Sequence, residues 1–185
     1  MLLTACGGND DEPTPVKDLN VKQLVDYVGK TADYVKSDFK SGELITEGGT
    51  LGKTTLSYFL STKSAKYSVT FKTDTKGVVD KVDVHASFPT YKEGIETFKS
   101  EMDKINTTIK YEYYSAYYNS KSAGLIGFND RNEFWEYVAE NDVSSFIQER
   151  WSLHDSSDVF INGTFVRSSA INNNGFEIEI ERGKY

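Results

Sequence analysis

A chain of 185 residues suits one domain and a tail, and a domain of that size buries enough surface to need no disulfide. Apolar residues make up 38% and aromatic residues 14%, so rings must supply much of the core area. A net charge of −7 with no basic cluster excludes a nucleic-acid surface and a polybasic membrane patch, and no apolar run reaches the ~20 residues of a transmembrane helix.

The N-terminus reads Met1-Leu2-Leu3-Thr4-Ala5-Cys6-Gly7-Gly8, followed by the acidic run Asn9-Asp10-Asp11-Glu12. Leu3-Thr4-Ala5-Cys6 resembles the lipobox of bacterial lipoproteins, with an apolar residue and two small ones ahead of the cysteine. The acidic run resembles the export tag of Bacteroidetes-type surface lipoproteins. The resemblance implies that Cys6 is acylated, that the mature chain starts there, and that the protein sits on the outer membrane facing outward. Five residues precede Cys6 without a basic n-region, so residues 1–5 read as the remnant of a signal peptide that begins upstream. Residues 6–20 are rich in Gly, Asp, Glu and Pro and should form a flexible tether.

Residues 21–185 should form a single α+β domain. Val21, Leu24, Val25, Val28, Ala32, Val35 and Phe39 follow helical spacing, with Asn20 and Gln23 at capping-box positions and Gly42 as a stop. Leu56, Tyr58 and Leu60 suggest a strand. Ala65, Tyr67, Val69 and Phe71 alternate with polar residues, as do Val82, Val84, Ala86 and Phe88, and Asp74-Thr75-Lys76-Gly77 turns the chain between them. Tyr91, Ile95, Phe98, Met102 and Ile105 form a second helical stripe behind Pro89 and a Thr90–Glu93 capping box. Phe134, Trp135, Val138 and Ala139 form a third, capped by Asn129 or Asp130. Residues 143–153 fit both a helix and a gapped strand, and strand is the preferred reading. Asn162-Gly163 predicts a type I′ hairpin between Phe160-Ile161 and Phe165-Val166. Asn172 to Gly175 predicts a further turn, before Phe176, Ile178 and Ile180 alternate with Glu177, Glu179 and Glu181. The expected class is α+β, an antiparallel sheet with about three helices packed against it.

No catalytic set emerges. Gly48-Gly49-Thr50-Leu51-Gly52-Lys53-Thr54 looks like a phosphate loop, but Glu47 stands where the first glycine is required and a strand-like run follows, so the segment reads as a flexible loop and no nucleotide partner is expected. His85 reads as a solvated residue on a polar strand face. His154-Asp155-Ser156-Ser157-Asp158 places three triad-type residues in one loop, whereas a hydrolytic triad converges from separate elements. Its acidic spacing fits no calcium loop, and no set of ligands suits zinc, so neither metal nor cofactor is expected. Glu177, Glu179 and Glu181 read as a solvated face.

The segment Ile109 to Tyr118 holds five of the twelve tyrosines. As a strand it places Ile109, Tyr111, Tyr113 and Tyr117 on one face, read as core. Lys110, Glu112, Tyr114, Ala116 and Tyr118 share the other, so Tyr114 and Tyr118 are the candidate exposed ligand-binding rings. The leading expectation is a non-enzymatic binding or interaction module anchored to the membrane through Cys6. The alternatives are a glycan-binding accessory protein using those tyrosines or a hydrolase with scattered site residues, and the expected partner is a glycan or a protein.

Overall fold

The computed structural model describes residues 19–62, 65–108, 110–111, 113–141, 143, 145–153, 159–168 and 173–183. Cys6, most of the expected tether and the His154–Asp158 loop lie outside the described residues. Within them the order is α1 (Val21–Asp26), α2 (Ala32–Asp38), β1 (Glu43–Thr50), β2 (Lys53–Ser61), β3 (Lys66–Thr73), β4 (Val79–Phe88), α3 (Tyr91–Thr108), β5 (Tyr113–Ser120), β6 (Gly124–Phe128), α4 (Arg131–Glu140), β7 (Phe146–Leu153), β8 (Val159–Ser168) and β9 (Asn173–Arg182).

Several local signals act as their chemistry requires. The Thr90 backbone starts α3 while its hydroxyl accepts from the Glu93 amide at 3.2 Å and donates to the Glu93 carboxylate at 2.8 Å. Asp130 caps α4 by accepting from the amides of Asn132 and Glu133. Asp74 Oδ1 accepts from the amides of Lys76 at 2.7 Å and Val78 at 3.0 Å, which fixes the β3–β4 turn.

The predicted first helix is instead two short ones. Gly29 takes φ +90°, and Thr31 caps α2 by accepting from the Tyr34 amide. The break lets residues 29–32 bond to the β3–β4 turn: the Gly29 amide donates to Val79 O, the Val79 amide to Lys30 O, and the Ala32 amide to Gly77 O. Tertiary hydrogen bonds therefore replace one helical turn.

All nine strands join one antiparallel sheet in the order β1-β2-β3-β4-β9-β8-β7-β5-β6. Sheet content thus dominates, and the α+β expectation holds only in its coarse form, with four helices in place of three. Residues 143–153 contribute a strand, β7. Residues 48–54, expected as a loop, are part of a β1–β2 hairpin that turns on Leu51 at φ 55° and Gly52 at φ 80°.

The expected Asn162-Gly163 turn is absent. β8 runs straight through both residues, and Gly163 pairs with Glu149 on one side and Ile178 on the other. A Cβ on Gly163 would lie 2.5 Å from Met102 Sδ and 3.1 Å from Phe98, so this glycine lets α3 approach the sheet. Gly175, expected in a turn, likewise sits in β9 between Ser87 and Val166. Its Cβ would fall 2.5 Å from the Ala86 carbonyl oxygen.

The helices cover one face of the sheet. Tyr27 and Phe39 pack edge-on against Phe71, Phe98 of α3 meets Phe165 and Phe176, and Tyr137 of α4 meets Tyr118. Val69, Val82, Val84, Ile161, Ile178 and Ile180 fill the sheet side of this core, each at most 1% exposed. Among the described residues no helix lies on the opposite face, which is open to solvent as one side of an antiparallel sheet can be.

Candidate functional site

The register places the tyrosines of β5 opposite to expectation. Tyr114 and Tyr118 point toward the helices and are 7% and 4% exposed, whereas Tyr113 is 57% exposed on the open face. Tyr117 is half-buried on the same open face. The reversal has a chemical cause: the Tyr114 hydroxyl has a buried acceptor. It donates to Glu149 Oε1 at 2.9 Å, while its ring meets Trp151 with centroids 5.4 Å apart. Tyr118 stacks edge-on against Tyr137 at 5.0 Å. Neither ring is available as the exposed ligand contact that was expected.

Glu149, which no spacing argument singled out, is wholly buried in the middle of β7. Arg131, at the start of α4, donates from Nε to Glu149 Oε1 at 2.8 Å and from Nη1 to Asp103 at 2.6 Å. Burial pushes the Glu149 carboxyl above its ordinary range, against the opposing pull of Arg131 and Tyr114. Burial also works against the Arg131 charge, yet Glu149 and Asp103 hold it firmly protonated. A surface hollow of about 500 Å³ lies outside this cluster, lined by Lys99, Asp103, Arg131, Trp135 and Glu136. Glu149 does not line it. The cluster therefore pins α4 to the sheet, and its buried carboxyl, Glu149, does not reach the hollow.

The open face divides into two chemical halves. On β3, β4 and β9 it carries Lys66, Lys72, Lys81, Asp83, His85, Glu177, Glu179 and Glu181. Asp83, Glu177 and Glu179 bring carboxylate oxygens within 4.8 Å of one another. Lys81 already bridges two of them, at 3.2 Å to Asp83 and in a short contact with Glu179, and Lys72 lies 2.6 Å from Asp83. Burial opposes the Lys81 charge, but these carboxylates hold its ammonium above its ordinary range. The cluster's cation is thus a side chain of the protein itself. Of the β9 face expected to be solvated, Glu181 is exposed, whereas Glu177 and Glu179 are partly exposed and paired.

One cross-strand row of this half aligns Ser68, His85 and Glu177. Hydroxyl, imidazole and carboxylate stand in the order of a hydrolytic triad. Among the described residues, however, only the 3.5 Å His85–Glu177 contact joins them, and both partners are well exposed. Nothing bonds Ser68 to His85, so no base activates the hydroxyl.

The other half, on β5, β7 and β8, forms three registered rows: Tyr113–Ser152–Phe160, Ser115–Arg150–Asn162 and Tyr117–Gln148–Thr164. Among the described residues its outward positions hold no carboxylate, and Arg150 is its one charge. The Tyr117 ring leans across Gly127 on β6, where an added Cβ would come within 3.6 Å of it. The Arg150 guanidinium stands 5.6 Å from the Tyr117 ring centre. Gln148 donates to Thr164 at 3.0 Å, and Asn162 donates to Glu179 at 3.3 Å while, among the described residues, its Oδ1 accepts no hydrogen bond. Five large exposed apolar or aromatic residues, Phe59, Tyr113, Leu125, Phe160 and Val166, stand on this one face of the sheet. No family model matches the chain, and searches of curated proteins and of solved structures likewise find no match.

Proposed function

We propose that the protein is a lipid-anchored binding module of the outer membrane, held through Cys6, whose ligand surface is the open face of the sheet. The observation that supports the reading is the concentration of exposed rings and aliphatic side chains on that face. Antiparallel sheets commonly turn one polar face to water, but natural surfaces seldom cluster large apolar groups there without a partner to cover them. A binding role also fits a site whose polar groups are exposed and mutually paired, with no side chain poised for proton transfer. The anchor rests on the lipobox-like Leu3-Thr4-Ala5-Cys6 and the acidic run behind it.

Two experiments test the proposal. For the anchor, cells are fed an alkyne-tagged fatty acid. Label on the wild type and none on Cys6→Ala, together with release of the variant from the membrane, is the expected result; a variant that stays membrane-bound refutes it. For the ligand face, a single thiol at Thr164 in the Cys6→Ser chain is coupled to polyethylene glycol, with Glu136→Cys on the helical side as control. Binding to a panel of neutral polysaccharides, acidic polysaccharides and immobilised peptides should be lost only in the Thr164 conjugate. Loss only in the Glu136 conjugate would move the site to the helical side.

A further inference from the structure

We infer that the uncharged half of the open face is a carbohydrate site that takes a neutral oligosaccharide lying along β5 and β7. This deepens the binding-module reading and rests on it. The geometry is that of the three registered rows. Rings stand at three corners, Tyr113, Tyr117 and Phe160, and planar polar groups, Arg150, Gln148 and Asn162, lie between them. A pyranose has apolar C–H faces and a rim of hydroxyls, so it needs flat rings to lie on and donors and acceptors at its margin. Peptide and lipid ligands would not use that alternation: an extended peptide pairs with a sheet edge, and an acyl chain needs a continuous apolar surface.

Charge decides between sugars. Apart from Glu43 and Lys53 at the β1–β2 edge, the charged groups of the open face lie on β3, β4 and β9, where Asp83 and Glu179 are tied to lysines and Glu177 faces His85, and the half on β5, β7 and β8 retains only Arg150. One guanidinium can donate to hydroxyls from over the Tyr117 ring, but it is too little positive charge to favour an acidic polymer over a neutral one, particularly on a chain of net charge −7. Tyr113 and Tyr117 are four residues apart, about 13 Å along the strand, and β5 to β8 spans about 10 Å. Those dimensions suit a short oligosaccharide better than one monosaccharide.

The test is affinity electrophoresis of the Cys6→Ser chain in native gels containing dextran, a mixed-linkage β-glucan, a galactomannan or polygalacturonate. At least one neutral polymer should retard the wild type. Tyr117→Ala and Arg150→Met should each weaken that association about tenfold or more, and Tyr117→Phe should keep most of it, because the ring supplies the stacking. Lys81→Met, on the charged half, should leave it unchanged. Near-ultraviolet circular dichroism establishes that each variant folds, and Arg150→Met decides the matter if Tyr117→Ala does not. Retardation by polygalacturonate that depends on Lys72 and Lys81 would overturn this inference while leaving the open-face reading intact. A panel in which no neutral polymer retards the wild type overturns it as well, and retardation insensitive to variants in both halves overturns both readings.

Discussion

Arg131→Met removes the only positive charge that touches Glu149 among the described residues and leaves a wholly buried carboxylate facing a thioether. Breaking a buried pair from one side costs about 3–5 kcal/mol, because the remaining charge keeps its desolvation penalty without its partner. For a domain of this size that is a fall in Tm of roughly 6–20 °C. Glu149→Gln should cost less, about 1–3 kcal/mol, since Arg131 retains Asp103 at 2.6 Å and some contact with water. The double variant should then lose clearly less than the sum of the two. The chain's two tryptophans serve as reporters: Trp151 packs on the Tyr114 ring, and the Arg131 guanidinium lies 5.8 Å from the Trp135 ring centre, so urea unfolding followed by fluorescence reads the site directly. The pH dependence carries a sign. Burial raises the folded-state Glu149 carboxyl above its ordinary value of 4.5. Its contribution to stability is therefore fully present below about that pH and is lost as pH rises through the folded-state value, where the native state must surrender a proton that the unfolded chain has already lost. Wild type should lose stability relative to Glu149→Gln with rising pH, and the Arg131→Met deficit should shrink toward about pH 5. An Arg131→Met cost below about 1 kcal/mol, or strict additivity in the double variant, would refute the account of Glu149 as a charge held by its partners.

Gly163→Ala should destabilise by about 1–3 kcal/mol through overpacking against Met102 and Phe98, and Met102→Ala in the same chain should relieve part of that strain, both measured by chemical denaturation. Leu51→Gly should raise stability by up to about 1 kcal/mol, because Leu51 holds φ 55° while 95% exposed, so packing returns nothing for a left-handed backbone. Tyr114→Ala and Tyr118→Ala should each cost about 3–5 kcal/mol in thermal melts, as core rings do, whereas Tyr113→Ala should stay within about 0.5 kcal/mol.

Short-range chemistry was legible in the sequence. The Thr90–Glu93 box, the Asp130 cap, the Asp74 turn and the alternating runs of β3, β4 and β9 each depend on neighbours a few residues apart, and each forms as read. The misreadings share a physical origin, in residues whose role is decided across the fold. Asn162-Gly163 carries a hairpin signal, but its glycine serves the space beneath α3. Gly29 lies within a helical pattern that yields to hydrogen bonds from the β3–β4 turn. Glu43–Thr50 shows no alternation because every residue of β1 is exposed, so no hydrophobic pattern could mark it. In β5 the period of two was right and the choice of face was wrong. The charges at Lys110 and Glu112 precede the strand, and the acceptor that lets Tyr114 turn inward comes from Glu149, 35 residues away. The open face and its two halves follow only from strand order and register, which a single sequence does not encode locally.

The strand order also governs how the sheet can assemble. β1 to β4 form one run of sequence neighbours and β7 to β9 another, joined to the rest of the sheet only through the β4–β9 and β5–β7 pairings, so each meander can form from short-range contacts. Within the sheet, the two parts meet only along the β4–β9 seam, where Lys81 faces Glu181 and its ammonium reaches Glu179, 98 residues away. Closing that distance costs loop entropy before any pairing energy is returned, so the seam should form later than either meander. Until it closes, two long unpaired edges are displayed by the same chain. Each can complete itself with the matching edge of a second copy, so the seam is where strand exchange between neighbouring molecules would begin.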